Sequence, residues 1–516
     1  MAPGWPCRRP AVASDKRAVD KSRRSRMTTQ AAMPRGARML MLAQLSKAVV
    51  LLLGIVVLSR LLDPREFGLV AVPIAIVGVG ELLRDMGLST AATTTPNLSS
   101  SLRDLLFWLN CGLAVLLVGV TLLITQLLAG LFDSPALGEI LPWLSIVFLL
   151  NGVGAQYRAN LNREMRFNAM AAVDSSAALL GVLGAIALAL TGAGYWALVA
   201  QPIIVAAVST AILVALGRWV PKLPRRAEGA RKLVGFGMSV SWSQVLMYAG
   251  NNVDTLALGY WGSPTQLGYY SRSFQVAVQP LTLLKAPATA VALPLLSRRR
   301  DNAAGFERAV VTGLKLIAYT IVPVALALAA CAPPVVRLFL GPAWEPVIPM
   351  VALLAAAAAI QQYASVASWM FLAANLGRDL RRYSLVSLLI KVLFVIVAAP
   401  YGPLSVAAAF LVSSAISSPI VMIWASRATR VSVRRLLLGT AIPIAIAVVA
   451  AGVAAAICYG VPLDALAQLS LAVCGFTTIY VLAYLVPAAR RDMKDVIRLL
   501  LRRGKDADGS TPQSSI

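Results

Sequence analysis

Along most of this chain apolar residues continue for about twenty positions at a time, broken by short polar punctuation, from about residue 38 to residue 487. A helix needs about 20 predominantly apolar residues to cross the hydrocarbon core, so each run predicts a membrane span. Fourteen are expected, at 38–59, 66–87, 104–130, 138–156, 169–190, 194–216, 234–258, 268–296, 310–333, 346–373, 383–400, 403–424, 436–459 and 465–487. The fold class that follows is an all-α polytopic membrane protein. Composition agrees: 59% of the 516 residues are hydrophobic, 13% are charged, and the mean hydropathy is +0.76, which leaves little room for a soluble domain.

Charge fixes an orientation. An even number of spans puts both termini on one side. With that side cytoplasmic, 38 of the 47 Lys and Arg fall in cytoplasmic segments, and the outside loops hold only Arg60, Arg65 and Arg337. The net charge of +25 is then a topology signal and calls for no nucleic-acid partner. The expected location is the inner (plasma) membrane. Residues 1–37 lack the apolar stretch of a signal peptide and read as a disordered basic cytoplasmic arm. The cytoplasmic tail, 488–516, opens as the basic amphipathic stretch RRDMKDVIRLLLRRGK, suited to resting on anionic lipid.

Several chemistries drop out. The chain has no histidine, its five cysteines are scattered, and it has no Walker loop, so metal ligation, His catalysis and ATP hydrolysis are not expected. Short outside loops also disfavour a membrane-embedded polysaccharide polymerase, which would be expected to carry its chemistry there.

An internal repeat organises the spans. SRLLDPREFGLV, from Ser59, aligns with GYWGSPTQLGYY, from Gly259, so Pro64 matches Pro264 and Gly68 matches Gly268 at an offset of 200 residues. GAGYWALVA, from Gly192, aligns with GPLSVAAAF, from Gly402, at an offset of 210. Two parallel six-helix lobes, 38–216 and 234–424, are expected around a central cavity, joined by a basic linker over 217–233. Spans 13 and 14, within 425–487, are additional. Such lobes suit alternating access.

Charges inside spans mark candidate chemistry, because each costs roughly 2.5–3.5 kcal/mol at the bilayer centre. Lys47, Lys285 and Lys391 lie roughly 12–16 Å from the nearest cytoplasmic boundary, too deep for snorkelling, and are expected to face a cavity. Arg84 and Lys315 are nearer that boundary, where snorkelling competes for Arg84 and is favoured for Lys315. Asp254 and Arg272 lie nine residues either side of Ser263, at similar depth, which leaves two roles open: an ion pair registering spans 7 and 8, or a substrate or gating function. Asn251 and Asn252 favour a wet wall beside Asp254. Glu81 and Asp85 flank Arg84, so local charge compensation is the plain alternative there. Lys47, Arg84, Arg272, Lys285 and Lys391 outweigh Glu81, Asp174 and Asp254, and a basic cleft suits an anion such as phosphate.

SRLLDPREFGLVA, QYRANLNREMRF, GAGYWALVAQ, DTLALGYWGSPTQLGYYSRSFQ and LFLGPAWEPVIPMVALLA occur in this order. Together they resemble the Wzx-type polysaccharide and lipopolysaccharide flippases of the MOP (multidrug/oligosaccharidyl-lipid/polysaccharide) superfamily, across about residues 38–424. The resemblance implies a fourteen-helix inner-membrane transporter, not an enzyme, that turns undecaprenyl-pyrophosphate-linked oligosaccharide between leaflets for cell-surface polysaccharide synthesis. It implies no cofactor but, in several members, coupling to a proton or sodium gradient. Its expected partners are the lipid-linked oligosaccharide, membrane lipids, and polysaccharide polymerase and export proteins. Arg272, in GYYSR, is carried over as a pyrophosphate or cavity cation, with Arg84 beside it. A lipid II flippase or a drug/cation antiporter of the same superfamily is the alternative, and the basic cleft argues against the antiporter.

Overall fold

The computed structural model describes residues 46–85, 87, 89, 99–217, 219–223, 244–245, 247–300, 302–487 and 489–494. The expected arm 1–37, most of the linker and the start of the seventh span (224–243), and the tail beyond 494 lie outside the described residues. Among the described residues all regular structure is helical. In the first half of the chain α1 covers 46–61, followed by α2 (Pro64–Asp85), α3 (Ser100–Leu131), α4 (Pro135–Arg163), α5 (Phe167–Leu190) and α6 (Trp196–Leu216). The second half holds α7 (Val253–Trp261), α8 (Pro264–Ala277), α9 (Gln279–Ser297), α10 (Ala303–Ala330), α11 (Ala332–Phe339), a 3-10 turn (Pro342–Val347), α12 (Ile348–Ala373), α13 (Gly377–Ala398) and α14 (Pro403–Thr429). Then come α15 (Val433–Gly460) and α16 (Ala465–Ala483).

Among the described residues eleven helical segments are long and apolar enough to cross a membrane, and each falls on one of the expected spans. The remaining three expected spans are the first, seventh and eighth. The eighth is a correction: it is two helices, because Pro280 has no N–H to donate and its ring crowds the preceding turn, breaking the helix at Val278. The seventh is also interrupted, at Asn252, whose side chain turns back to donate to the Tyr248 carbonyl at 2.9 Å.

The repeat extends to the way its two hairpins are capped. Pro264 opens α8 behind a full capping box: Ser263 Oγ accepts from the Gln266 N–H at 3.3 Å, and Gln266 Oε1 accepts from the Ser263 N–H at 3.0 Å. Two hundred residues earlier, Pro64 opens α2, and Glu66 Oε2 accepts from the Asp63 N–H at 2.8 Å. These matched helix starts touch each other. A Cβ on Gly68 would lie 1.7 Å from the Pro264 carbonyl oxygen, and one on Gly268 would lie 1.8 Å from that of Pro64. Glycine is required at both positions so that two backbones can cross at this distance.

Further along α2, Val72 packs on Gly259 and the Tyr248 hydroxyl approaches Gly78. Contact between the halves therefore runs from Pro64 to Gly78, about 21 Å along the helix axis. On the same end of the molecule the left-handed Gly341 (φ 100°) turns the chain into the 3-10 segment. There the fully buried Trp344 donates to the Ser59 carbonyl of α1 at 2.7 Å, and Arg60 donates to the Leu338 carbonyl. The hairpin end is closed.

Two other elements are tied down. The described part of the linker is held to the first half: Trp219 donates to Asp104 Oδ1 at 3.1 Å beneath the Arg103 guanidinium, and Trp108 donates to the Lys222 carbonyl at 2.9 Å. Lys315 does not simply snorkel to water. It forms an ion pair at 2.6 Å with Asp492, on the short helical stretch 489–494.

Candidate functional site

Intramembrane charge divides into two kinds of environment. Arg84, 7% exposed near the C-terminal end of α2, is neutralised within the first half. Its guanidinium meets Glu81 Oε2 at 3.2 Å and donates to Asn110 Oδ1 of α3 at 3.4 Å, while Asn151 of α4 donates to the same Glu81 oxygen at 3.0 Å. Arg84, expected as a cavity cation with local compensation as the alternative, is thus engaged by Glu81 of its own helix. Three-residue spacing on one helix puts Glu81 and Arg84 on the same face, and the plain alternative of local compensation describes the pair. Asp174 is likewise engaged by Arg158 at 2.8 Å.

Asp254 and Arg272 do not pair. Tyr270 and Arg272 are two residues apart on α8, so they point about 200° apart around its axis. Tyr270 faces α7 and donates to Asp254 Oδ2 at 2.7 Å, which leaves Arg272 facing away from Asp254. The carboxylate's cation is instead Lys391 of α13, with Nζ 3.6 Å from Oδ2 and 3.3 Å from the Asn251 carbonyl, above the Phe410 ring. Lys391, expected as a cavity cation, is the counter-ion of a carboxylate that is only 2% exposed. Asn251 contributes its backbone carbonyl to that cluster. Asn252 contributes the helix interruption beside it.

Arg272 is different. It is 4% exposed, and among the described residues no carboxylate pairs with it. Its guanidinium carbon lies 3.7 Å from the centroid of Phe67, on α2 of the other half, and Nη1 donates to Gln275 Oε1 at 2.6 Å. Nε is buried with no partner. Lys285, beyond the break on α9, and Lys47 on α1 are both half-buried, and among the described residues neither has a carboxylate partner. A buried cation without a counter-ion is costly to maintain, and an anionic ligand removes that cost when it binds. Phe67, Tyr270, Gln275 and Trp344 are absent from the sequence-derived candidates. All four sit inside the motifs that carry the resemblance, Tyr270 and Gln275 in DTLALGYWGSPTQLGYYSRSFQ, Phe67 in SRLLDPREFGLVA and Trp344 in LFLGPAWEPVIPMVALLA; the contacts of Phe67 and Trp344 across a long chain separation had no signal.

The fold, a helical bundle of two matched halves crossing at their hairpins, is that of transporters of the MOP superfamily. A solved structure of the lipid II flippase MurJ in an inward closed conformation superposes with a TM-score of 0.69 at 13% identity, covering 86% of this chain and 98% of that one. An inward-facing multidrug resistance MATE family transporter superposes with a TM-score of 0.57 at 15% identity, covering 76% and 98%. The chain belongs to the polysaccharide biosynthesis protein family, whose pattern matches residues 57–349, and the Wzx-type resemblance of the sequence stands with it. Lipopolysaccharide biosynthesis protein WzxC of Escherichia coli (strain K12) is 25% identical over 319 residues, 60% of this chain and 64% of that protein. Succinoglycan biosynthesis transport protein ExoT of Rhizobium meliloti (strain 1021) is 24% identical over 299 residues, 58% and 60%. The chain thus matches just under two thirds of the length of these relatives.

Proposed function

We propose that this protein is a transporter, not an enzyme, that turns polyprenyl-pyrophosphate-linked oligosaccharide from the cytoplasmic to the outer leaflet of the inner membrane during synthesis of a cell-surface polysaccharide. Both termini are cytoplasmic in this reading, and the substrate passes on to polymerase and export proteins. The observation that carries it is Arg272: a cation buried between the halves whose Nε is bare and which no carboxylate meets among the described residues. Charge-assisted hydrogen bonds to a pyrophosphate are strongest where water is excluded. Lys47 and Lys285 supply further positive charge, the sugar travels in a hydrated cleft, and the polyprenyl tail stays in lipid. Lobes closed at the hairpin end are one end state of alternating access, and parting the Gly68–Gly268 crossing leads to the other.

Asp254 with Lys391 serves as the gate or coupling element. A cation that takes the place of Lys391 at the carboxylate frees the ammonium, which gives a proton or sodium gradient a handle on the second half.

Reconstitution into liposomes with fluorescent undecaprenyl-pyrophosphate oligosaccharide tests the reading. Transfer between leaflets by the intact chain is expected. Transfer of lipid II alone would move the substrate assignment to peptidoglycan precursor, and sugar polymerisation by the purified chain would end the transporter reading.

A further inference from the structure

Three contacts cross between the halves in one short chain of side chains. The guanidinium carbon of Arg272 on α8 lies over the ring of Phe67 on α2, 3.7 Å from its centroid. The Phe67 ring meets Trp344 edge to face, with centroids 5.4 Å apart. Trp344, packed on Tyr269 at 6.1 Å, donates to the Ser59 carbonyl of α1. Phe67 has little freedom to move, because the next residue, Gly68, is pressed against the Pro264 carbonyl.

The orientation that results is specific. The Phe67 ring covers the guanidinium, Gln275 takes Nη1, and Nε is buried with no hydrogen-bond partner among the described residues. Nε and the neighbouring Nη2 form the edge with which arginine grips a phosphate through two parallel N–H donors. We propose that Phe67, together with Gln275, is a positioning residue that holds Arg272 edge-on to a phosphate only while the hairpin end is closed. The proposal rests on Arg272 being the pyrophosphate cation. Because Phe67 belongs to the other half, parting the halves removes the platform from beneath Arg272. The grip on phosphate therefore weakens as the outer side opens, which favours release there. By linkage, phosphate bound at Arg272 favours the closed end.

The test measures binding of undecaprenyl pyrophosphate to the full chain in nanodiscs. Phe67→Leu is expected to weaken binding about tenfold, the loss of a desolvated cation–π contact, while Phe67→Tyr, which keeps the ring, stays near the native affinity. In an Arg272→Met background Phe67→Leu is expected to change nothing further. Arg60→Cys and Leu338→Cys, at positions that touch across the halves and are joined by a short cross-linker that keeps the end closed, are expected to leave binding as tight as native or tighter. Equal losses from Phe67→Leu in the native and Arg272→Met backgrounds would overturn the positioning role and leave Arg272 as the cation. Native binding by Arg272→Met would overturn the site itself, and weaker binding by the cross-linked protein would overturn the dependence on closure.

Discussion

Arg84 and Arg272 are both arginines with almost no exposed surface, one in each half of the molecule, yet their surroundings are opposite. Arg84 is enclosed by Glu81, Asn110 and Asn151 of its own half, and its charge is cancelled where it stands. Arg272 rests on a ring and an amide, and among the described residues its Nε is bare and no carboxylate meets it. Depth in the membrane is therefore a poor guide to function by itself. What separates a locally neutralised cation from an anion site is the neutralising partner, and Lys391 joins Arg84 in having one, through Asp254.

The contrast has consequences of graded size. Gly268→Val is expected to have the largest effect, since its Cβ collides with the Pro64 carbonyl and neither backbone has room to yield. Thermal unfolding in detergent should show a loss of several kcal/mol, on the order of 3 or more, or no folded protein. Next is Glu81→Ala, which strands the Arg84 charge: a loss of about 3 kcal/mol is expected, and the double variant Glu81→Ala with Arg84→Met should recover most of it. In the second half, Asp254→Asn and Lys391→Met should each destabilise by about 2 kcal/mol, less than additively when combined. A fully additive pair would show that the 3.6 Å contact carries no energy. Lys315→Met, which breaks a partly exposed pair with Asp492, should cost about 1 kcal/mol or less. Arg272→Met should reverse the sign: no charge is left unpaired and only the neutral Gln275 amide loses a partner, so the melting temperature is expected to stay level or rise. A drop as deep as that of Glu81→Ala would erase the distinction between the two arginines.

Much of the architecture was legible because it depends on local pattern. Spans follow from runs of apolar residues, and the Pro64/Pro264 and Gly68/Gly268 matches marked the hairpins that turn out to touch. The break at Val278 had a visible cause in Pro280, but an apolar run on both sides concealed it. Site partners were harder to read. The distance of Asp254 and Arg272 from their shared turn left open whether they pair, because it fixes a position along the helix axis and not a direction around it. Lys391 lies 137 residues beyond Asp254, and Trp344 lies 285 beyond Ser59, so only the assembled bundle brings them together.

The central claim is that Arg272 is kept without a counter-ion in order to hold an anionic carrier lipid. Measuring undecaprenyl-pyrophosphate binding and melting temperature together, for the native chain and for Arg272→Met in nanodiscs, tests it most directly. The account predicts that binding falls by about tenfold or more while the melting temperature does not fall. Unchanged binding at equal folded protein would contradict it.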